Sequence, residues 1–108
     1  MQRQAIQQAY PVLHYIIAAF LHQDYDIEGP ELEDAVQAFI SRATPEQIKE
    51  GRADIARFLT EKAEHLQAAL EELTDGDYAS EPGMPARDYL LWLDGLLAGA
   101  LEHNGQHV

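Results

Sequence analysis

The chain has no cysteine. Thiol catalysis, thiolate metal sites and disulfide staples are therefore excluded, and the compartment leans only mildly towards the cytoplasm. Cations are scarce: seven lysines and arginines stand against nineteen acids, for a formal charge of −12. The seven are scattered and form no stripe, so an anionic nucleic acid finds nothing to grip. Hydroxyls are few as well. Ser41, Ser80, Thr44, Thr60 and Thr74 fall mostly at capping or loop positions. There is no Gly-x-Ser-x-Gly and no phosphate-cradling glycine loop. The apolar stretch at residues 12–21 is interrupted by His14 and Tyr15 and is too short to span a bilayer, and no small-residue cleavage site follows it. No run of alternating β-branched residues, internal repeat or low-complexity tract occurs.

What is present reads as helix throughout. A chain of 108 residues makes one domain. At this size about 65% of the unfolded chain's surface is buried on folding, which supports a core without staples. Pro11 opens the first clear helix, followed by Leu13, Ile16, Ile17, Phe20 and Leu21 at helical spacing. Residues 1–9 extend it or precede it loosely. Gly29 breaks the chain and Pro30 opens a second helix, whose first turns carry Glu31, Glu33 and Asp34 and whose stripe is Leu32, Ala35, Val36, Phe39 and Ile40. The sequence TPEQ at 44–47 fits a capping box with proline at the first helical position. It starts a third helix with Ile48, Ile55, Phe58 and Leu59 inside and Gly51 as a mild weak point. Leu66, Leu70 and Leu73 mark a fourth helix, either separate or continuous with the third. After the loop TDGDYASEPGMP, the last helix carries Tyr89, Trp92, Leu93 and Leu97 and is apolar on most sides, which suits a central position or an interface. The expectation is an all-α, single-domain bundle of four to five helices over 1–108, with 1–9 and 103–108 frayed.

The densest chemistry lies at residues 18–29, AAFLHQDYDIEG, where an apolar run ends in His22, Asp24, Tyr25, Asp26 and Glu28. A di-iron bundle needs Glu-x-x-His on two helices, and this sequence has none. His22, Asp24 and Asp26 could touch a metal together, but no calcium-loop spacing follows and no His-Glu-x-x-His is present. His103 and His107 read as tail. Paired acids can be drawn from any acidic chain, and lone histidines such as His14 and His65 are more often solvent-facing than catalytic. No metal, cofactor or catalytic residue is expected. Solubility alone would account for the charge, yet a field of this sign also attracts basic surfaces. By elimination and by charge the reading is a protein-binding module rather than an enzyme.

Three stretches then carry a resemblance: YPVLHYIIAAFLHQDYDIEG, PELEDAVQAFI and DYLLWLDGLL. Together they resemble the small α-helical immunity proteins of bacterial contact-dependent growth inhibition systems. The recurring signature there is Phe-x-His-Gln-Asp-aromatic-Asp. It is represented here by Phe20, His22, Gln23, Asp24, Tyr25 and Asp26, with Tyr25 where tryptophan is usual and Leu21 where an aromatic is frequent. Phe39-Ile40 matches the end of the family's acidic second helix, and Tyr89, Trp92 and Leu93 match a terminal aromatic-x-x-Trp-Leu pattern. The likeness extends over residues 10–59 and 86–97, and between them only in layout.

The resemblance implies a cytoplasmic antidote that binds the C-terminal toxin domain of a contact-delivered effector and has no chemistry of its own. The charge suits a basic toxin acting on RNA or DNA. A motif shared by proteins facing unrelated toxins reads as scaffold: Asp24 or Asp26 accepting backbone N–H bonds at a turn, Tyr25 packed between helices, His22 at a helix end. Toxin contacts are then expected from Glu28, Glu31, Asp75, Asp77, Tyr78 and Glu81, and core roles from Phe39, Ile40, Phe58, Trp92 and Leu93. Self-association through the last helix is left open, and an acidic helical adaptor without a toxin partner is the alternative.

Overall fold

Proline at position 11 sets the first boundary. It has no N–H to donate and pushes the preceding residue out of the helical region, and Tyr10 accordingly adopts φ −132° and ψ 62°. The chain therefore forms two short helices, α1 (Gln2–Ala9) and α2 (Pro11–Ala19), where one longer helix was an alternative. The computed structural model describes residues 2–22, 31–79 and 83–105. Among these, four further helices follow: α3 (Leu32–Arg42), α4 (Pro45–Glu61), α5 (Leu66–Thr74) and α6 (Ala86–Gly105). No strand occurs among the described residues. The all-α, single-domain reading holds, with six helices among the described residues where four to five were expected, because Pro11 sets residues 2–9 apart as a helix of their own.

Local signals account for two of the starts. At α4 the Gln47 amide donates to Thr44 Oγ1 at 3.1 Å, and the Thr44 amide donates to Gln47 Oε1 at 2.9 Å, the reciprocal capping box that TPEQ announces. Helix α3 begins at Leu32, where Glu31 takes extended backbone angles and its amide donates to Asp34 Oδ2 at 3.0 Å; Pro30, expected to open it, lies outside the described residues. Between α4 and α5 the chain relaxes into a 3-10 turn, Ala63–His65. Residues 60–65 carry no apolar side chain larger than alanine, so a continuous helix would have nothing to bury there.

Helix α6 packs against α3, α4 and α5, while α2 packs against α1, α4 and α5. This is the central place expected of a helix that is apolar on most sides. Leu90, Leu93 and Leu97 of α6 are fully buried with Leu13 and Ile16 of α2 and Phe58 of α4. Gly51 lies where α4 meets both neighbours: a Cβ there would stand 3.1 Å from Ile16 Cδ1, 3.4 Å from Val12 Cγ1 and 3.5 Å from Leu97 Cδ1. The glycine is thus a close-approach point rather than only a weak point in a helix. Across the same interface Arg52 Nε and Nη2 hold the Asp94 carboxylate at 2.9 and 3.3 Å.

Candidate partner-binding surface

The residue before Pro11 gives α2 no side-chain cap. The missing acceptor comes from another helix. Asp54 of α4, only 5% exposed, accepts the amides of Val12 at 2.8 Å and Leu13 at 3.1 Å through Oδ2. A carboxylate at this place also faces the positive end of the helix dipole. Its other oxygen accepts Arg57 Nη2 at 2.7 Å, and the same guanidinium donates to the Ala9 carbonyl at 2.9 Å and lies 4.9 Å from the centre of the Tyr10 ring. Tyr10 in turn donates its hydroxyl to Glu61 and packs edge-on against Phe58 at 5.0 Å. Burial, and then the Glu61 carboxylate beside it, push the Tyr10 hydroxyl up to about 12. Asp54, Arg57 and Glu61, spaced i, i+3 and i+7, form a polar ladder on α4 that seats the α1–α2 corner.

The other end of α2 is tied to the segment after α5. Thr74 Oγ1 donates to the Leu70 carbonyl at 2.8 Å, and Asp75 ends the helix at φ 57°, a left-handed conformation that aspartate tolerates better than most residues. Gly76 follows at φ 75°. The amides of Gly76 and Asp77 donate back to Glu71 and Thr74, each at 2.9 Å, and the Ala79 amide donates to the Leu21 carbonyl at 2.7 Å. Tyr78 is half-buried: its hydroxyl accepts Gln67 Nε2 at 2.8 Å and its ring lies 5.3 Å from that of Tyr89. Asp75 and Asp77 are exposed and line a cleft of about 200 Å³ with Gln7, His14 and Ala18. Glu31 belongs to a different cleft, of about 540 Å³, together with Glu33, Asp34, Met84, Tyr89 and Trp92. Glu31 is therefore placed in a different cleft from Asp75 and Asp77.

Of the signature residues, Phe20 is buried, 5.7 Å from Phe39 and beneath the Arg42 guanidinium at 5.6 Å, and His22 is half-buried. Gln23, Asp24, Tyr25 and Asp26 lie outside the described residues, as do Glu28 and Glu81. Phe39, Phe58 and Leu93 are buried in the core, whereas Ile40 and Trp92 are half-buried at its edge. The Trp92 ring lies 5.9 Å from that of Tyr89, whose buried hydroxyl has no hydrogen-bond partner among the described residues. Among the described residues no three His, Asp or Glu side chains come together to hold a metal ion, and no helix is long and apolar enough to cross a membrane.

Sequence reasoning passed over Asp54, Arg57, Glu61 and Tyr10. The i, i+3, i+7 spacing was visible, but on an acidic helix it reads as ordinary solvated surface. It also passed over Tyr15, which is 53% exposed yet packed edge-on against Phe20 at 6.0 Å and Phe39 at 6.2 Å.

No curated protein and no solved structure matches the chain. A family comparison does. The segment that matches runs from the α1–α2 corner to the middle of α6, and so takes in the Asp54 ladder, the tied loop and both clefts. On that match, over residues 9–97, the chain belongs to the family of CdiI immunity proteins.

Proposed function

We propose that this protein is the immunity partner of a contact-dependent growth inhibition effector, and that it neutralises that effector's C-terminal toxin domain in the cytoplasm by binding alone. Membership of the CdiI immunity family carries the reading. The net charge of −12 extends it to a basic toxin of the nuclease class, because a surface that grips phosphates is cationic and draws an acidic inhibitor towards it. Contacts are assigned to Glu28, Glu31, Asp75, Asp77, Tyr78 and Glu81, with the signature from Phe20 to Asp26 as scaffold. The exposed positions of Glu31, Asp75 and Asp77 support this assignment. Co-expression with the C-terminal domain encoded immediately upstream tests it. The expected result is a complex that co-purifies and cells that grow despite the toxin. A toxin domain that neither binds nor is silenced would remove the reading.

A further inference from the structure

Between residues 4 and 23 there is no aspartate, glutamate, lysine or arginine, in a chain that is 24% charged. Helix α2 lies within this stretch. Its inner face is in the core, and its outer face shows Pro11, Tyr15, Ala18 and Ala19 to solvent, spaced i, i+4, i+7 and i+8 on one side of the helix. We propose that this uncharged ridge, with Tyr15 at its crest, is the centre of the surface that receives the toxin domain. The inference rests on the immunity reading above and gives it a location.

The arrangement has the anatomy of a binding interface: an aromatic, charge-poor centre with a polar rim. On one side of the ridge a cleft of about 230 Å³ runs between Tyr15 and Glu50. On the other, the cleft below Ala18 is edged by Asp75 and Asp77. Among the described residues no lysine or arginine lines either cleft, while the Arg42 guanidinium lies over the Phe20 ring beside Tyr15. The two clefts therefore carry only carboxylate charge, from Glu50, Asp75 and Asp77, and fit an apolar side chain of the partner flanked by arginine or lysine. A second copy of this chain would set carboxylates against carboxylates, at a charge of −12 on each copy. Tyr15 is suited to an anchoring role because its ring already packs edge-on against Phe20 and Phe39, which also touch each other. Little rotamer freedom is left for binding to remove. The Asp54 ladder at one end and the Ala79–Leu21 hydrogen bond at the other hold the ridge and its rim in register.

The test measures the Kd of the full chain for the upstream-encoded toxin domain, beside melting curves and sedimentation. Tyr15→Ala is expected to weaken binding about 30-fold or more, the range of an interface hot spot. Ala18→Arg, at an exposed position, is expected to do the same by bulk and by neutralising the Asp75/Asp77 rim, and it keeps the test open if Tyr15→Ala does not fold. Leu91→Ala removes the other large exposed apolar side chain among the described residues, on α6, and is expected to bind as wild type. Folded Tyr15 and Ala18 variants with wild-type Kd would overturn the ridge while leaving the immunity reading intact. Loss of self-association in place of toxin binding would overturn it in favour of a second copy. A wild-type chain that does not bind the domain defeats the immunity reading, and this inference with it.

Discussion

Asp54 is a buried carboxylate whose stabilising contribution comes from two different kinds of partner. Its bond to Arg57 is partly solvated, since the arginine side chain is 47% exposed, and such pairs contribute little. Its bonds to the Val12 and Leu13 amides are sheltered, and without them two helix-end donors lose their acceptor. Asp54→Ala is therefore expected to lower stability by about 3 kcal/mol, and Arg57→Ala by about 1 kcal/mol, in urea denaturation. Equal losses would show that the ion pair, not the cap, dominates. Tyr10 belongs to the same ladder and makes it sensitive to alkali. Its folded pKa, about 12, lies above the ordinary value of 10.0, so the fold favours the neutral phenol. That contribution is fully present below pH 10 and is lost as pH rises from about 10 to about 12. The buried Tyr89 hydroxyl is raised for the same reason, chiefly burial. Urea midpoints at pH 9 and pH 11.5 are expected to differ less in Tyr10→Phe than in wild type, with Tyr89 retaining part of the effect. An unchanged difference would remove Tyr10 from the alkaline transition.

At the scale of elements, α4 is the helix that joins α2 to α6. Its contact with α2 and α6 depends on the absent side chain at Gly51, so added volume must force helices apart or bend side chains off their rotamers. Gly51→Val is expected to destabilise by about 2–3 kcal/mol. Gly51→Ala stays within about 1 kcal/mol of wild type, because helix propensity offsets the displacement of the flexible Ile16 tip. A valine variant melting with wild type would show that the contact is loose. The same helix separates what sequence could disclose from what it could not. The Thr44–Gln47 box was legible because both partners lie within three residues of each other. The cap on α2 was not, because its acceptor is 42 residues away from Val12 and only the fold brings them together. The 3-10 turn after α4 was left open for a related reason: no glycine or proline marks it, and its cause is a lack of anything to bury.

Over the whole molecule, class and family were legible because they rest on helical spacing and on local motifs, each a property of neighbours in the chain. The binding surface was less so. Charge directed attention to the acidic loop after α5, while the uncharged face of α2 drew none, because an exposed apolar face and a buried one share the same spacing. Net charge nevertheless makes a prediction of its own. If long-range attraction to a basic toxin speeds encounter, the association rate falls steeply with salt, since the Debye length is about 8 Å at physiological ionic strength. Asp75→Asn, Asp77→Asn and Glu81→Gln in one chain are expected to slow association and flatten the salt dependence. Asparagine suits position 75, where φ is 57°. Stopped-flow rates from low to high salt check this, and a salt-independent wild-type rate would end the electrostatic account.

The cap on α2 also has a consequence in time. The ribosome delivers Val12 and Leu13 long before it delivers Asp54, and at about 5–20 residues per second the gap is on the order of seconds. Until then a nine-residue helix lacks its cap and its packing on α4 and α5, and helices this short are marginal alone. A fragment ending at residue 50 is accordingly expected to show little helix by circular dichroism, and a helical fragment would refute the dependence. The first half of the nascent chain waits on the second, and a product of interrupted translation lacks the finished surface.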